Sequence, residues 1–228
     1  MDASEFGEKF LNYTVLSQRS VPNSALDYET RCVPWLRHPV YACLGLRPAI
    51  AQHTAAEHAA LKRWAGGRRA LVEIGVAEGV SALALREGMS EDGTLTLIDP
   101  FHLSRAPVLN FLKRAAHRVV NSCDHGKVVW IEKFSGEAVQ LWRGSVDLIL
   151  IDGDHSEIGV QRDWEGWSHF VKPGGVVIFH DARLFESGWT KPEYGPLKLV
   201  NRVFREGHLA GWSITEEVDS LVMVKREY

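Results

Sequence analysis

Cysteine is scarce in this chain: Cys32, Cys43 and Cys123 are the only three in 228 residues. Their odd number and unpaired spacing exclude a disulfide framework or a cysteine-based zinc site, so a reducing, cytoplasmic setting is expected. Long apolar runs are also missing, since none approaches the ~18 residues that span a bilayer. The opening Met1-Asp2-Ala3-Ser4-Glu5 is acidic rather than basic, unlike a secretory leader. A soluble chain with no membrane partner is expected. Charge of one sign is lacking too: 26 Lys and Arg face 29 Asp and Glu, with a formal net charge of -3. Because the basic residues are scattered, no field for a phosphate backbone forms, and nucleic acid is not an expected partner. Internal repeats and low-complexity tracts are absent.

What is present is apolar sequence, 45% of the chain and ample for a single large core. From about residue 68, apolar runs alternate with amphipathic stretches, the pattern of a parallel sheet with crossover helices. Strands are expected at Ala70 to Gly75, Thr94 to Asp99, Lys127 to Ile131, Val146 to Ile151 and Gly175 to Phe179. Helices are expected between them, at Val80 to Gly88, Ala106 to Val120, Gly136 to Trp142 and Ile158 to Phe170. The last carries Val160, Trp164, Trp167 and Val171 at helical spacing, with Arg162, Asp163 and Glu165 between them. Its tryptophans read as core. The turn Lys172-Pro173-Gly174-Gly175 breaks this helix and launches the fifth strand. Leu197 to Arg205 reads as a helix, followed by an antiparallel pair, Trp212 to Thr215 and Ser220 to Val224.

Residues 1–50 are rich in Pro, Tyr, Trp and Arg without sustained periodicity, and read as irregular structure lying over a domain at 51–228. A substrate-covering cap and an oligomer contact both fit this segment. Ala51 to Ala65 reads as a helix, with Ala55, His58, Ala59 and Trp64 among its buried candidates.

Two strand ends carry the chemistry. Asp152-Gly153-Asp154-His155 follows the fourth strand, and His180-Asp181 follows the fifth, 25 residues after His155. Both strands read as buried and parallel, and ligands of open α/β sheets bind beyond the carboxyl ends of such strands. The first strand runs through Glu73 into Gly75-Val76-Ala77-Glu78-Gly79 and then directly into a helix. Glycines there permit close approach of a ligand, and the helix amides favour polar or anionic groups. Ala77 stands where a dinucleotide fingerprint has its middle glycine, which argues against a pyrophosphate cradle. Asp99, closing the second strand, is placed to accept hydrogen bonds from ribose hydroxyls. An ionised Glu73 would repel pyrophosphate and suit a positively charged sulfonium.

Taken together, Glu73-Ile74-Gly75 to Gly79, Leu97 to Phe101, Ile151 to His155 and Lys172 to Gly175 resemble the class I S-adenosylmethionine-dependent methyltransferases. The closest resemblance is to small, often metal-dependent O-methyltransferases, including those acting on macrolide sugars and methylmannose polysaccharides. It covers roughly residues 50–228 and implies a Rossmann-like, seven-stranded, mostly parallel α/β sheet of order 3-2-1-4-5-7-6. Helices would cover both faces, with the N-terminal segment as a cap.

The resemblance implies that Glu73, Gly75 and Gly79 line the aminoacyl and adenosyl moieties of S-adenosyl-L-methionine, and that Asp99 binds its ribose. Phe101 would border the adenine. Many relatives place an acid at the position of Phe134, so adenine recognition would pass to Ser135 or a backbone group; Phe134 could equally pack against a helix. Asp152 stands where the two halves meet and counts in both the cofactor and cation sets.

Alkylating a hydroxyl requires alignment with the methyl and removal of the proton. By resemblance, Asp152 and Asp181 occupy the carboxylate positions of a divalent-cation site, magnesium in relatives. His180 stands where relatives have an acid, and its imidazole would favour manganese or another transition metal, or orient Asp181 from behind. His155, three residues after Asp152, is the expected general base, or else a loop-capping residue. Asp154 could hold it, reach the cation through water, or be solvated. The loop after Asp181, with Arg183, Trp189, Lys191 and Tyr194, could face the acceptor, as could Trp35, Arg37, His38 and Tyr41.

The implied activity is O-methylation of a hydroxyl on a sugar or glycosylated natural product, with a small-molecule or oligosaccharide partner and a possible homo-oligomeric assembly. A catechol-like phenol is the alternative acceptor, and a nucleotide-dependent oxidoreductase is the alternative class.

Overall fold

The computed structural model describes residues 38–101, 110–186 and 188–228. Cys32, Trp35, Arg37 and the start of the expected helix at Ala106 lie outside them.

Seven strands form one sheet of order β3-β2-β1-β4-β5-β7-β6. They are β1 (Ala70–Ile74), β2 (Thr94–Ile98), β3 (Lys127–Ile131), β4 (Val146–Ile151), β5 (Val171–Phe179), β6 (Trp212–Val218) and β7 (Leu221–Arg226). The first five pair in parallel, and β7 runs antiparallel to both β5 and β6. This is the architecture expected from the sequence.

Because side chains alternate along a strand, each strand feeds two cores. Leu71, Leu97, Leu148, Leu150 and Ile178 point to one face, where they meet α2 (Ala55–Ala65), α3 (Val80–Gly88) and α4 (Phe111–Val120). Val72, Ile74, Ile149, Ile151 and Phe179 point to the other, against α5 (Ser135–Leu141), α6 (Glu157–Trp167) and α7 (Gly195–Val200). Burial on both sides explains the near-continuous apolar runs. The strand order reverses at β1, between β2 and β4, which opens a crevice at their carboxyl ends.

Several elements differ from expectation, each for a local reason. His38–Leu44 forms a short helix, α1, within the segment expected to be irregular, burying Ala42. α2 starts at Ala55 because Thr54 caps it in a reciprocal box with Glu57. Its buried face is Glu57, Ala60, Leu61 and Ala65 rather than Ala55, His58, Ala59 and Trp64. Glu57 turns that face inward: its Oε1 accepts from the Ser220 amide at 2.7 Å and hydroxyl at 2.6 Å. α4 begins at Phe111, where the Asn110 side chain accepts from the Lys113 amide. Lys172 to Gly175 does not precede β5 but lies within it, as an irregularity, exposed over Lys172 to Gly174, that shifts its register against β4. Beyond α7, Asn201–Glu206 continues as a wider π-type turn rather than as α-helix. The terminal hairpin is longer than expected, Trp212 pairing with Arg226 at its far end. Among the described residues, no helix is long and apolar enough to cross a membrane.

Candidate active site

The reversal at β1 holds a cleft of about 870 Å³. One wall is the turn from Gly75 to Val80, and another is Asp152 to His155. The two meet almost backbone to backbone. A Cβ at Gly75 would lie 2.1 Å from the Asp152 carbonyl oxygen, and the residue has φ of +85°, so only glycine fits. Asp99 shapes the turn: its Oδ2 accepts from the amides of Val76 (2.9 Å) and Ala77 (3.2 Å), and its Oδ1 from Phe101 (2.7 Å). Since a carboxylate offers roughly four acceptor positions, about one is left for a hydroxyl in the cleft.

The remaining residues expected to bind a cofactor fall in different environments. Phe101 is on the cleft wall, buried, with φ of +45° and its ring tilted against Trp130. Ser135 opens α5 on the cleft wall, and its Oγ accepts from Trp167 Nε1 at 2.9 Å. Phe134 is exposed on the same wall rather than packed in the core. Glu73 is fully buried and does not line the cleft; Ser81, which does, donates to its Oε1 at 2.5 Å. Burial pushes the Glu73 carboxyl well above the usual range against the pull of Ser81, and nearby Asp152 and Asp99 push it further. Glu73 thus reaches the cleft only through Ser81.

The two strand ends converge as their positions suggested. His155 Nε2 lies 2.9 Å from Asp181 Oδ2 and 3.6 Å from Asp152 Oδ1. His180 Nδ1 lies 3.0 Å from Asp152 Oδ1 and 3.7 Å from Asp181 Oδ2. Behind it, His180 Nε2 lies 3.8 Å from Glu57 Oε2. These are charge contacts without in-line hydrogen-bond geometry. The buried Nε2 of His155 and both ring nitrogens of His180 have no hydrogen-bond partner among the described residues. One ligand atom each from Asp152, His155 and His180 falls within 4.8 Å of the others.

The electrostatics follow from this alternation of acid and base. Burial opposes charge on His180, yet Asp152, Glu57 and Asp181 hold its pKa well above the ordinary value. Burial likewise opposes charge on His155, but Asp181 and Asp152 raise its pKa. For Asp181, burial is outweighed by the two histidines and Thr190, and its pKa falls to about 2. Trp189 Nε1 and Thr190 Oγ1 donate to Asp181 Oδ1 at 2.7 and 2.9 Å, leaving Oδ2 turned to His155.

Asp154 has a different task from holding His155. Its carboxylate accepts from the Ser156 amide and hydroxyl at 2.9 and 2.8 Å, shaping the entry to α6. The acid that reaches His155 is Asp181. In the loop beyond, Trp189 is buried against Asp181 instead of facing an acceptor, while the Tyr194 ring lies 5.3 Å from that of His155. Arg183 pairs with Glu217, and Lys191 is exposed. Tyr41 is exposed on α1, outside the cleft lining.

Sequence reasoning missed two members. Glu57 is hidden in a capping box, which fully accounts for its residue type. His53 lines the cleft, its Nε2 3.0 Å from His58 Nδ1, with a pKa lowered to about 3 by burial and by that neighbour. A lone histidine before a helix carries no signal of such a role.

Comparison with known proteins bears directly on this geometry. The family described as "Methyltransferase domain" matches residues 72–182, from within β1 to just past β5, and thus both walls of the cleft. That stretch of the chain is similar to a methyltransferase domain. A Mycobacterium avium (strain 104) protein named "Putative O-methyltransferase" is 33% identical over 124 residues, covering 52% of this chain and 50% of that protein. The chain spans about half the length of the curated relatives it matches. Among solved structures, the Bacillus cereus O-methyltransferase in complex with SAH is similar at TM-score 0.58 and 17% identity, covering 90% of this chain and 98% of the other. TomG, the Streptomyces achromogenes O-methyltransferase involved in tomaymycin synthesis, in complex with SAM, is similar at TM-score 0.58 and 15% identity, covering 93% and 100%. At these identities the likeness is one of fold. In a sheet of this order the cleft lies at the customary ligand site, beyond the carboxyl ends of the parallel strands.

Proposed function

We propose that this chain transfers a methyl group from S-adenosylmethionine to a hydroxyl of a sugar or glycosylated natural product, with His155 as the proton acceptor. The observation that carries this reading is the single cleft joining the Gly75–Gly79 turn to His155, whose ring is paired with Asp181. In the forward step the hydroxyl oxygen displaces the sulfonium, forming the C–O bond as the S–CH3 bond breaks. The hydroxyl proton passes to His155, and the resulting imidazolium is stabilised by Asp181 and Asp152. Such pairing matters most for an aliphatic hydroxyl, because a phenol is already acidic and needs less base. A panel of glycosides and catechols, assayed by methyl incorporation, tests the acceptor class; preference for catechols would replace the sugar reading.

A specific observation favours a divalent cation beside this base. Asp152, His155 and His180 bring three ligand atoms together, and the buried imidazole nitrogens lack hydrogen-bond partners among the described residues. Asp152 and His180 would hold the ion, completed by Asp181 or by His155, and imidazole ligands favour manganese over magnesium. A bound cation would lower the pKa of a hydroxyl that touches it. We predict that chelation abolishes transfer and that manganese restores it; turnover unchanged by chelation would remove the cation from the mechanism. His155→Ala separates the ligand sets. As a base, the residue leaves metal content intact when removed, while kcat falls by roughly 10²–10⁴; as a ligand, it takes the metal with it.

A further inference from the structure

A second group of metal-binding side chains lies away from the cleft. Cys123, Asp124 and His125 form the turn between α4 and β3, at the amino end of an edge strand, whereas the cleft lies beyond the carboxyl ends. One donor atom each from the thiol, the carboxylate and the imidazole falls within 4.8 Å of the others. Consecutive side chains of an extended segment point to opposite faces, so three in a row converge only because the chain turns here. A tetrahedral ion with bonds of about 2.0–2.3 Å holds its ligand atoms roughly 3.5 Å apart, a separation that small side-chain rotations reach.

The turn is held by the fold itself. Arg86 of α3 is buried, and its guanidinium is spent on this stretch of backbone: Nε donates to the His125 carbonyl at 2.8 Å, Nη1 to that of Val120 at 2.8 Å and Nη2 to that of Gly126 at 3.4 Å. Gly126 closes the turn with φ of +56°, and a Cβ there would stand 2.2 Å from Met89 Cε and 2.6 Å from the Gly93 carbonyl oxygen. A loop so fixed loses little freedom when it takes up an ion. A separate observation points to a ligand. The Nδ1 of His125 is withdrawn from solvent and has no hydrogen-bond partner among the described residues. Such an atom calls for an explanation, and a metal ion beside it supplies one. Cys123 is a free thiol, half-buried against Val80, Leu83 and Val119.

We propose that Cys123, Asp124 and His125 bind a thiophilic divalent transition ion, zinc, at a site separate from the cleft. The scarcity of cysteine excludes a site of several thiolates; one thiolate with a carboxylate and an imidazole is a different ligand set. Thiolate and imidazole favour zinc over magnesium or calcium, and the two anionic donors neutralise a dication close to Arg86. The ion ties the amino end of β3, an edge strand that is exposed or half-buried throughout, to the turn that leaves α4. The cluster at Asp152, His155 and His180 contains no thiol, which lets experiment tell the two sites apart.

The test is titration of the chelator-treated full chain with cobalt(II), a zinc surrogate whose sulfur-to-metal charge-transfer band in the near ultraviolet requires a thiolate ligand. The wild type is expected to show this band, saturating at one thiolate-bound ion per chain and bleached by added zinc. Cys123→Ser is expected to abolish it. Asp124→Asn and His125→Gln are each expected to weaken cobalt binding at this band at least about tenfold, the loss that removal of even an outer partner causes. A wild type without the band overturns the proposal, as does a band that survives in Cys123→Ser. An affinity that neither Asp124→Asn nor His125→Gln alters also overturns it, since a lone thiol would then account for the signal. A measurement on the wild type stands in for any variant that fails to fold. With zinc at ten times its Kd, alkylation of Cys123 is expected to slow about tenfold, because the bound thiolate is occupied. Peptide mass mapping reads this against Cys43 as internal control, and equal rates at Cys123 with and without zinc overturn the site.

Discussion

Asp163, buried on α6, has a signature in folding. Its pKa in the folded chain is about 6, against an ordinary value of 3.8, so the folded state holds the proton more tightly than the unfolded one. Stability from this group is therefore greatest below about pH 4, declines between pH 4 and 6, and stays low above, a total of at most about 3 kcal/mol. Asp163→Asn removes this dependence. Urea denaturation across pH is expected to find the variant more stable than the wild type at pH 7.5, by on the order of 1–3 kcal/mol, with the advantage shrinking toward pH 4. A pH-independent difference would contradict burial as the cause. Single residues were unevenly legible in the sequence. Asp152, His155, His180 and Asp181 could be read because each follows an apolar strand, and parallel strand ends converge. Asp163 and Glu57 could not, since an acid flanked by Arg162 and followed by Trp164 looks solvated and an acid three residues after a threonine looks like a cap. Both turn inward because each falls at helical spacing with the buried residues of its helix, Asp163 with Val160, Trp164 and Trp167, and Glu57 with Ala60, Leu61 and Ala65.

Strands were more legible than helices for a physical reason: burial on both faces leaves no polar alternation, whereas helix ends depend on caps that a periodicity does not contain. Thr54 and Asn110 each start a helix several residues later than apolar spacing alone suggests. Lys172 to Gly175 illustrates the converse, turn-like residues that a strand absorbs as an irregularity. The turn from β1 to α3 is the element on which both halves of the site depend. Gly75→Ala would drive a methyl into the Asp152 carbonyl while holding a left-handed φ. It is expected to cost about 2–4 kcal/mol of stability and to eliminate measurable S-adenosylhomocysteine binding. Thermal denaturation and calorimetry together check this; wild-type values in both would show that the strand ends can separate.

At the scale of the molecule, α2 and the terminal hairpin close the chain over the site. Thr54 Oγ1 donates to Asp219 Oδ2 at 2.6 Å, Glu57 accepts from Ser220, and Trp64 Nε1 donates to Glu216 at 2.7 Å. Glu57 also faces His180, so closure and site share one carboxylate. Glu57→Ala is expected to cost about 3–5 kcal/mol, because it leaves partners buried and unpaired; Glu57→Gln, which keeps the shape, should cost less in stability yet still lower kcat. Equal kcat for Glu57→Gln and wild type would confine Glu57 to closing the fold. Sheet order was legible from resemblance, but this long-range closure was not, since it joins residues more than 150 positions apart. The close approach of Gly75 to the Asp152 carbonyl has a consequence for how such a chain diversifies. Adjacent strands lie about 4.8 Å apart, and with no side chain between them, the Gly75–Gly79 turn and the Asp152–His155 loop are separated by a spacing the backbone dictates. If the first holds the methyl donor and the second the base, as proposed, loops at the rim can be exchanged to admit new acceptors without resetting the distance over which the methyl travels.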